Sequence, residues 1–115
     1  MLPIERSRKI SGSQALFHFQ VEADLFWFQG HFPALTILPG VAQLDWVMHY
    51  TTTLLAPGKV FSALENIKFQ QPVPPGSHLQ LELDWDESKS RVSFRYLLLR
   101  DGEQQSASSG KILLC

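Results

Sequence analysis

Cysteine is nearly missing from this 115-residue chain: Cys115, the last residue, is the only one. A disulfide framework and a thiolate metal cluster are therefore excluded, and a reducing compartment fits. Net charge is nearly missing too, since ten Lys and Arg against eleven Asp and Glu leave a formal charge of -1. No Lys/Arg run reaches the density of a nucleic-acid or membrane patch, so neither is an expected partner. No apolar run approaches the roughly 18 residues of a membrane span. The start, MLPIERSRK, lacks the apolar stretch of a signal peptide, and a soluble cytoplasmic protein is expected. Histidines, cysteines and acids do not fall at zinc-ligand spacing, and no glycine loop is built to cradle phosphate. Internal repeats and low-complexity tracts are absent as well.

What remains is a chain with 44% hydrophobic residues, long enough for one domain over residues 1–115 and too short for two. A core of this size gains much from a partner subunit. Residues 1–13 hold Pro3, the charge cluster Glu5–Lys9 and Ser11-Gly12-Ser13. They read as a short leader with a turn and room for an edge strand, the cluster being a solvated tail or a contact for an acidic partner. From Gln14 to Val21 the pattern alternates, with Phe17, Phe19 and Val21 on one face and Leu16, His18 and Gln20 on the other. Ala23–Phe28 is a compact aromatic segment suited to core or interface packing.

The loop QGHFPALTILPG follows, and Pro39-Gly40 marks a helix start, because proline's missing N–H costs nothing in a first turn. The run VAQLDWVMHYTTTLL is apolar on nearly every side, which predicts a helix covered all round. Thr51–Thr53 weaken its last turns and Pro57-Gly58 ends it. Sheet makes up the remainder. Val60–Phe69 leads into a rigid turn at Pro72, Pro74, Pro75 and Gly76. Leu79, Leu81, Leu83 and Trp85 alternate with polar residues, and Val92, Phe94, Tyr96 and Leu98 return along one face. Leu97 and Leu99 predict partial cover on the opposite face. Asp101-Gly102 signals a hairpin, and Gln104–Leu114 closes the sheet with Gly110 as a candidate bulge. An antiparallel sheet must cover its apolar face, and one long helix is available to do so. An α+β fold results, a curved antiparallel sheet wrapped around one long central helix.

Two residues in this frame carry chemistry. His31 follows Gly30 in a loop and is free to face a pocket. Asp45 lies inside the apolar helix, where a buried carboxylate costs several kcal/mol unless paired or hydrogen-bonded. It shares a face with Val41, Leu44, Met48 and His49. A local pair with His49, or an outlet to solvent where the sheet leaves a gap, would also accommodate it. The helix start adds exposed N–H groups with partial positive charge, where a carbonyl oxygen gains hydrogen bonds as it becomes negative. A histidine, an acid and such an oxyanion site together suffice to remove a proton next to a carbonyl. No serine or cysteine nucleophile stands beside a base.

The segment GHFPALTILPGVAQLDW resembles that of the hotdog-fold β-hydroxyacyl-acyl carrier protein dehydratases, whose pattern is GHFP, a short variable stretch, PG, then a helix carrying Asp or Glu. NIKFQQPVPPGSHLQLEL resembles their strand, proline turn and next strand, so the likeness covers most of the chain. VAQLDWV is similar above all to the small dehydratase-like proteins of aryl polyene pathways. The resemblance implies His31 as catalytic histidine, Asp45 as catalytic acid and the Gly40 N–H as holder of the thioester carbonyl. It implies reversible conversion of a 3-hydroxyacyl thioester to the trans-2-enoyl thioester with no metal or organic cofactor. It further implies an acyl carrier protein as partner, a homodimer whose sites combine the histidine of one subunit with the acid of the other, and room for a ketosynthase-like partner. Phe32, Leu38, Val41 and Trp46 are candidates to line an acyl channel, and each is equally suited to the core. His49 reads as a packed or supporting histidine, Gln43 as a hydrogen-bonding helix residue without a role, and His78 as exposed. The family usually has glycine at Ala34 and proline at Thr36, both in the loop that aims His31. Three other readings stay open: a hotdog acyl thioesterase, a dehydratase that also moves the double bond, and a silent subunit that binds acyl carriers.

Overall fold

A computed structural model describes residues 2–22 and 37–115. Six strands and one helix make up this part: β1 (Ile4–Ser11), β2 (Gln14–Gln20), α1 (Gly40–Tyr50), β3 (Phe61–Phe69), β4 (His78–Asp86), β5 (Arg91–Arg100) and β6 (Glu103–Leu114). The strands form a single sheet in the order β1-β2-β4-β5-β6-β3, antiparallel at every pairing. It is the curved sheet around one central helix of the hotdog fold, as expected from the strand count and the lone helix.

The alternating strands behave as their pattern requires. Leu79, Leu81, Leu83 and Trp85 are buried and Asp84 is exposed, so β4 turns one face to the helix. Phe17 and Phe19 do the same from β2, and Val92, Phe94, Tyr96 and Leu98 from β5. Leu97 is buried on the other face, as its position predicted. The Asp101-Gly102 hairpin has φ of 50° and 78°, the paired positive angles of the tight turn that this dipeptide favours. Inside, the Phe17 ring lies 4.6 Å from Tyr50, and Phe19 lies 5.3 Å from Tyr50 and 6.2 Å from Trp46. Such pairs contribute about 0.5–1.5 kcal/mol each beyond their buried area.

Three expectations change. The charge cluster Glu5–Lys9 is not a tail but part of edge strand β1, where Arg8 pairs with Glu5 at 2.6 Å and Arg6 bonds Gln20. Charges on an edge strand discourage further strands from adding to it. The bulge opposite Gly110 belongs to β3, where Asn66 and Ile67 face one residue of β6 and Asn66 takes φ 51°. Gly110 is the single residue opposed: a Cβ there would stand 3.1 Å from both Ile67 Cα and Phe94 Cε2. A second irregularity lies in β6 itself, at Ala107, because Tyr96 pairs with Ser108 while Leu97 pairs with Ser106.

The third change concerns the helix. It begins at Gly40 after Pro39, as the Pro-Gly signal predicted, but stays α-helical only to Tyr50. Thr51–Leu55 continues as a π-helical turn. Thr52 Oγ1 donates to the Met48 carbonyl at 2.8 Å, the side-chain competition that bends helices at threonine. Nor is the helix covered all round: Ala42, Gln43, Trp46, Val47 and Tyr50 are buried, whereas Val41 is 66% exposed and Asp45 and His49 are exposed with it. No helix among the described residues is long and apolar enough to cross a membrane.

Candidate active site

The helix start is held by backbone on two sides. Leu38 N–H donates to the Val73 carbonyl at 2.8 Å, within the proline-rich turn. The same turn reaches the end of β2, with Val21 N–H on the Ser77 carbonyl (2.9 Å) and Gly76 N–H on the Val21 carbonyl (2.7 Å). Val73, Gly76 and Ser77 thus join Val21, after β2, to Leu38, before α1. His31, Phe32, Ala34 and Thr36 lie outside the described residues.

From Pro39 the first turn leaves its donors open. The Pro39 carbonyl accepts from Ala42 N–H (3.1 Å) and Gln43 N–H (3.2 Å), while Pro39 has no side chain to cap the turn. Among the described residues, the N–H groups of Gly40 and Val41 meet no acceptor, as the geometry of a helix start requires. Gly40 borders a cavity of about 280 Å³ lined also by Ile37, Leu38, Gln43, Phe69 and Gln70. That is just under the usual range of roughly 300–1,000 Å³ for small-molecule sites. Phe69 rests on the glycine: a Cβ at Gly40 would stand 2.6 Å from Phe69 Cζ. A side chain at Gly40 would have to push aside the Phe69 ring, which is 54% exposed, while the backbone angles of Gly40 ask for no glycine.

Asp45 lies one turn further along, on the outward face with Val41 and His49. It is neither buried, as a helix covered all round would have it, nor paired with His49. Of the two structural outlets weighed for it, solvent is the one taken in the single subunit. It has no hydrogen bond or ion pair with another described residue, and among the described residues no His, Cys, Asp and Glu cluster could hold a metal ion. His49 is exposed, not packed, and its ring stands edge-on to that of its chain neighbour Tyr50 with centroids 4.9 Å apart. Leu38 is on the cavity, Val41 on the outward face, and Trp46 in the core with no exposed surface. His78 is exposed and lies 5.7 Å from His18, ring to ring.

Two features escaped the sequence. Phe69 and Gln70 form the wall facing the helix start, and the only linear signal for them is the aromatic-polar step just before the proline turn. The other is the bonding of Gln43, which is 3% exposed. Its Nε2 donates to the Leu38 carbonyl at 3.3 Å, and its Oε1 accepts from Ser108 Oγ at 2.7 Å. Its own carbonyl accepts from Tyr96 Oη at 2.7 Å. Burial drives the Tyr96 hydroxyl well above its ordinary pKa, with Tyr50 and Asp45 adding to the shift, so it stays a donor. A larger hollow of about 600 Å³ among β1, β2, β4 and β5 holds none of the catalytic candidates, and its Arg95 is already bonded to Glu82 at 2.8 Å.

Comparison with known proteins places these observations. A family model described as ApeI-like, ApeI dehydratase, matches residues 7–111. The fold superposes with a TM-score of 0.93 on the crystal structure of an uncharacterized protein from Erwinia carotovora subsp. atroseptica, 51% identical over all of this chain and 97% of that one. It superposes at 0.92 on the dehydratase heterocomplex ApeI:P from Xenorhabdus doucetiae, also 51% identical, over 100% of this chain and 99% of the other. A 3-hydroxyacyl-[acyl-carrier-protein] dehydratase, FabZ, of Erythrobacter litoralis is 40% identical over 57% of this chain and 50% of its own length. The chain spans about half the length of the curated relatives it matches.

Proposed function

The chain belongs to the ApeI-like dehydratase family, and from that premise we propose that it is a 3-hydroxyacyl-[acyl carrier protein] dehydratase serving aryl polyene or fatty acid-like synthesis. The observation that carries the reading is the family match over residues 7–111, a span that takes in His31, Gly40 and Asp45. The open helix start beside a cavity supports it.

In the proposed mechanism the thioester carbonyl oxygen rests on the Gly40 N–H. His31 removes the C2 proton, and the electron pair left on C2 is stabilised through that carbonyl. The C2–C3 double bond forms as the C3–O bond breaks, and Asp45, directly or through a water, delivers the proton with which the hydroxyl leaves as water. One donor of this kind is worth about 3 kcal/mol in rate. Leu38 and Val41 border the acyl chain in this reading, with Phe32 beside His31 and Trp46 backing the wall from the core. No metal or organic cofactor enters the proposal.

Asp45 is proposed to act in a site shared between two subunits. In one subunit it stands exposed on a face that also presents Val41, while edge strand β3 presents Phe61, Leu64 and Phe69 at 45–54% exposure. Val41 exposed beside Asp45 on the helix, together with three large apolar side chains exposed on an edge strand, calls for a second body. A second copy of this chain fits, and so does a related hotdog subunit, since the similar Xenorhabdus doucetiae structure is a heterocomplex. The partner in substrate delivery is an acyl carrier protein bearing the 3-hydroxyacyl group.

The test is to incubate the protein with a 3-hydroxyacyl carrier protein and follow its mass. Loss of water from the intact carrier supports dehydration. Release of the acyl group with a free carrier thiol would assign a thioesterase instead, and an unchanged carrier would assign a silent subunit.

A further inference from the structure

We propose that Gln43 is a positioning residue, whose side chain, braced on the β6 bulge at Ala107–Ser108, fixes where the Gly40 N–H points in the cavity. The proposal rests on the reading of Gly40 as the donor to the thioester carbonyl.

An amide on the inward face of α1 stands out among Ala42, Trp46 and Val47. A leucine of similar size would pack there with no polar atoms to satisfy, so the amide has to be explained by what it joins. It joins both sides of Gly40. Its Nε2 holds the carbonyl of Leu38, two residues upstream, and its main chain continues the same first turn downstream. Its Oε1 takes the Ser108 hydroxyl and its carbonyl takes the Tyr96 hydroxyl, two donors on paired residues of adjacent strands, both with no exposed surface. The stretch from Leu38 to Gln43 is therefore clamped to the middle of the sheet, and Gly40 lies inside the clamp.

The opposite wall of the cavity is fixed from the same place. Where β6 bulges at Ala107, that residue's carbonyl leaves the ladder and accepts from Gln70 N–H at 2.8 Å and Gln71 N–H at 3.1 Å. The neighbouring Ser106 Oγ donates to Gln70 Oε1 at 2.5 Å. One irregularity in β6 thus bonds the helix wall through Ser108 and the Phe69–Gln71 wall through Ala107. Geometry between a carbonyl donor and an acyl pocket is the quantity that proton abstraction depends on, and a misplacement near 1 Å costs about a hundredfold in rate.

The smallest probe is Ser108→Ala, which removes one hydroxyl; Gln43→Leu removes both side-chain bonds of the clamp and leaves the Tyr96 hydroxyl on the main-chain carbonyl. Each is examined by thermal unfolding, by the backbone ¹⁵N order parameter of Gly40, and by kcat and KM on a 3-hydroxydecanoyl N-acetylcysteamine thioester. In folded Ser108→Ala the Gly40 order parameter is expected to fall from about 0.85 toward about 0.6. The kcat is expected to fall about 10- to 100-fold with KM within about twofold, and the shape of the pH profile is unchanged because neither side chain titrates. A Gly40 order parameter and resonance that do not move in either variant would overturn the proposal, as would an unchanged kcat in both. Wild-type protein that eliminates no water would remove the dehydratase reading, while the Gly40 resonance would still decide whether Gln43 holds the helix start.

Discussion

The two sides of helix α1 differ in both composition and exposure. The inner side sets Ala42, Gln43, Trp46, Val47 and Tyr50 against the sheet, and nothing in it is left open. The outer side sets Val41, Asp45 and His49 against solvent in the single subunit. Apolarity on every side of a helix therefore does not say that one chain covers it. The inner side gives the helix its place and the outer side gives Asp45 its exposure, so stability and the proposed chemistry separate by face.

That separation breaks most sharply at the proposed pair, His31 and Asp45. His31→Ala and Asp45→Asn are each expected to lower kcat/KM by about 10² to 10⁴ in a water-elimination assay, the range of general acid–base contributions. The unfolding midpoint of Asp45→Asn should stay within a degree or two, because its side chain bonds no other described residue. Full activity in either variant would remove its assigned role. On the inner side the order reverses. Trp46→Ala is expected to cost about 3–5 kcal/mol in urea unfolding, as large aromatic-to-alanine changes in cores do. Loss of activity there would follow loss of fold.

Much of this was readable in advance wherever a residue's neighbours in sequence decide its place. The period-two pattern of β4 and β5, the Asp101-Gly102 turn and the Pro39-Gly40 helix start are local, and each falls where its chemistry put it. The edge strand β1 was harder to read because IERSRKIS lacks an apolar face: paired on one edge only, it needs charge more than hydrophobicity. The cover of α1 was misread because an apolar sequence does not say which face the chain's own sheet reaches, and it reaches only Ala42, Gln43, Trp46, Val47 and Tyr50. The role of Gln43 could not be read at all, since it depends on Ser108, 65 positions away in the chain. For the site, Gly40 and Asp45 stand where a helix start and its outward face place them, and His31 lies outside the described residues.

The outer side can be tested by its cover. Val41→Glu replaces the one large apolar side chain of the exposed face with a charge, and light scattering after size exclusion should show a shift from dimer to monomer with strand content by circular dichroism retained. A wild-type monomer would show that no second copy covers this face. The smallest effect belongs to Tyr96 and to alkaline pH. Its pKa in the folded state is raised above the ordinary 10.0, so the folded protein holds the proton that the unfolded chain releases. The stability this contributes is complete below pH 10 and declines as pH climbs from there through the raised value. Tyr96→Phe removes that decline, so stability between pH 10 and 11.5, measured against urea, should fall less steeply in the variant than in the wild type. Equal slopes would show that burial of Tyr96 has no part in the alkaline limit.

The shared site is tested most directly by mixing. His31→Ala and Asp45→Asn proteins, each alone and after being unfolded and refolded together, are given 3-hydroxyacyl carrier protein, and the loss of water is followed by mass. If each site takes its histidine from one copy and its acid from the other, half of the randomly formed dimers carry one intact site. The mixture should then eliminate water at about a quarter of the wild-type rate while each variant alone stays near zero. A mixture no faster than its components, with wild type active, would contradict a site shared between two copies of this chain.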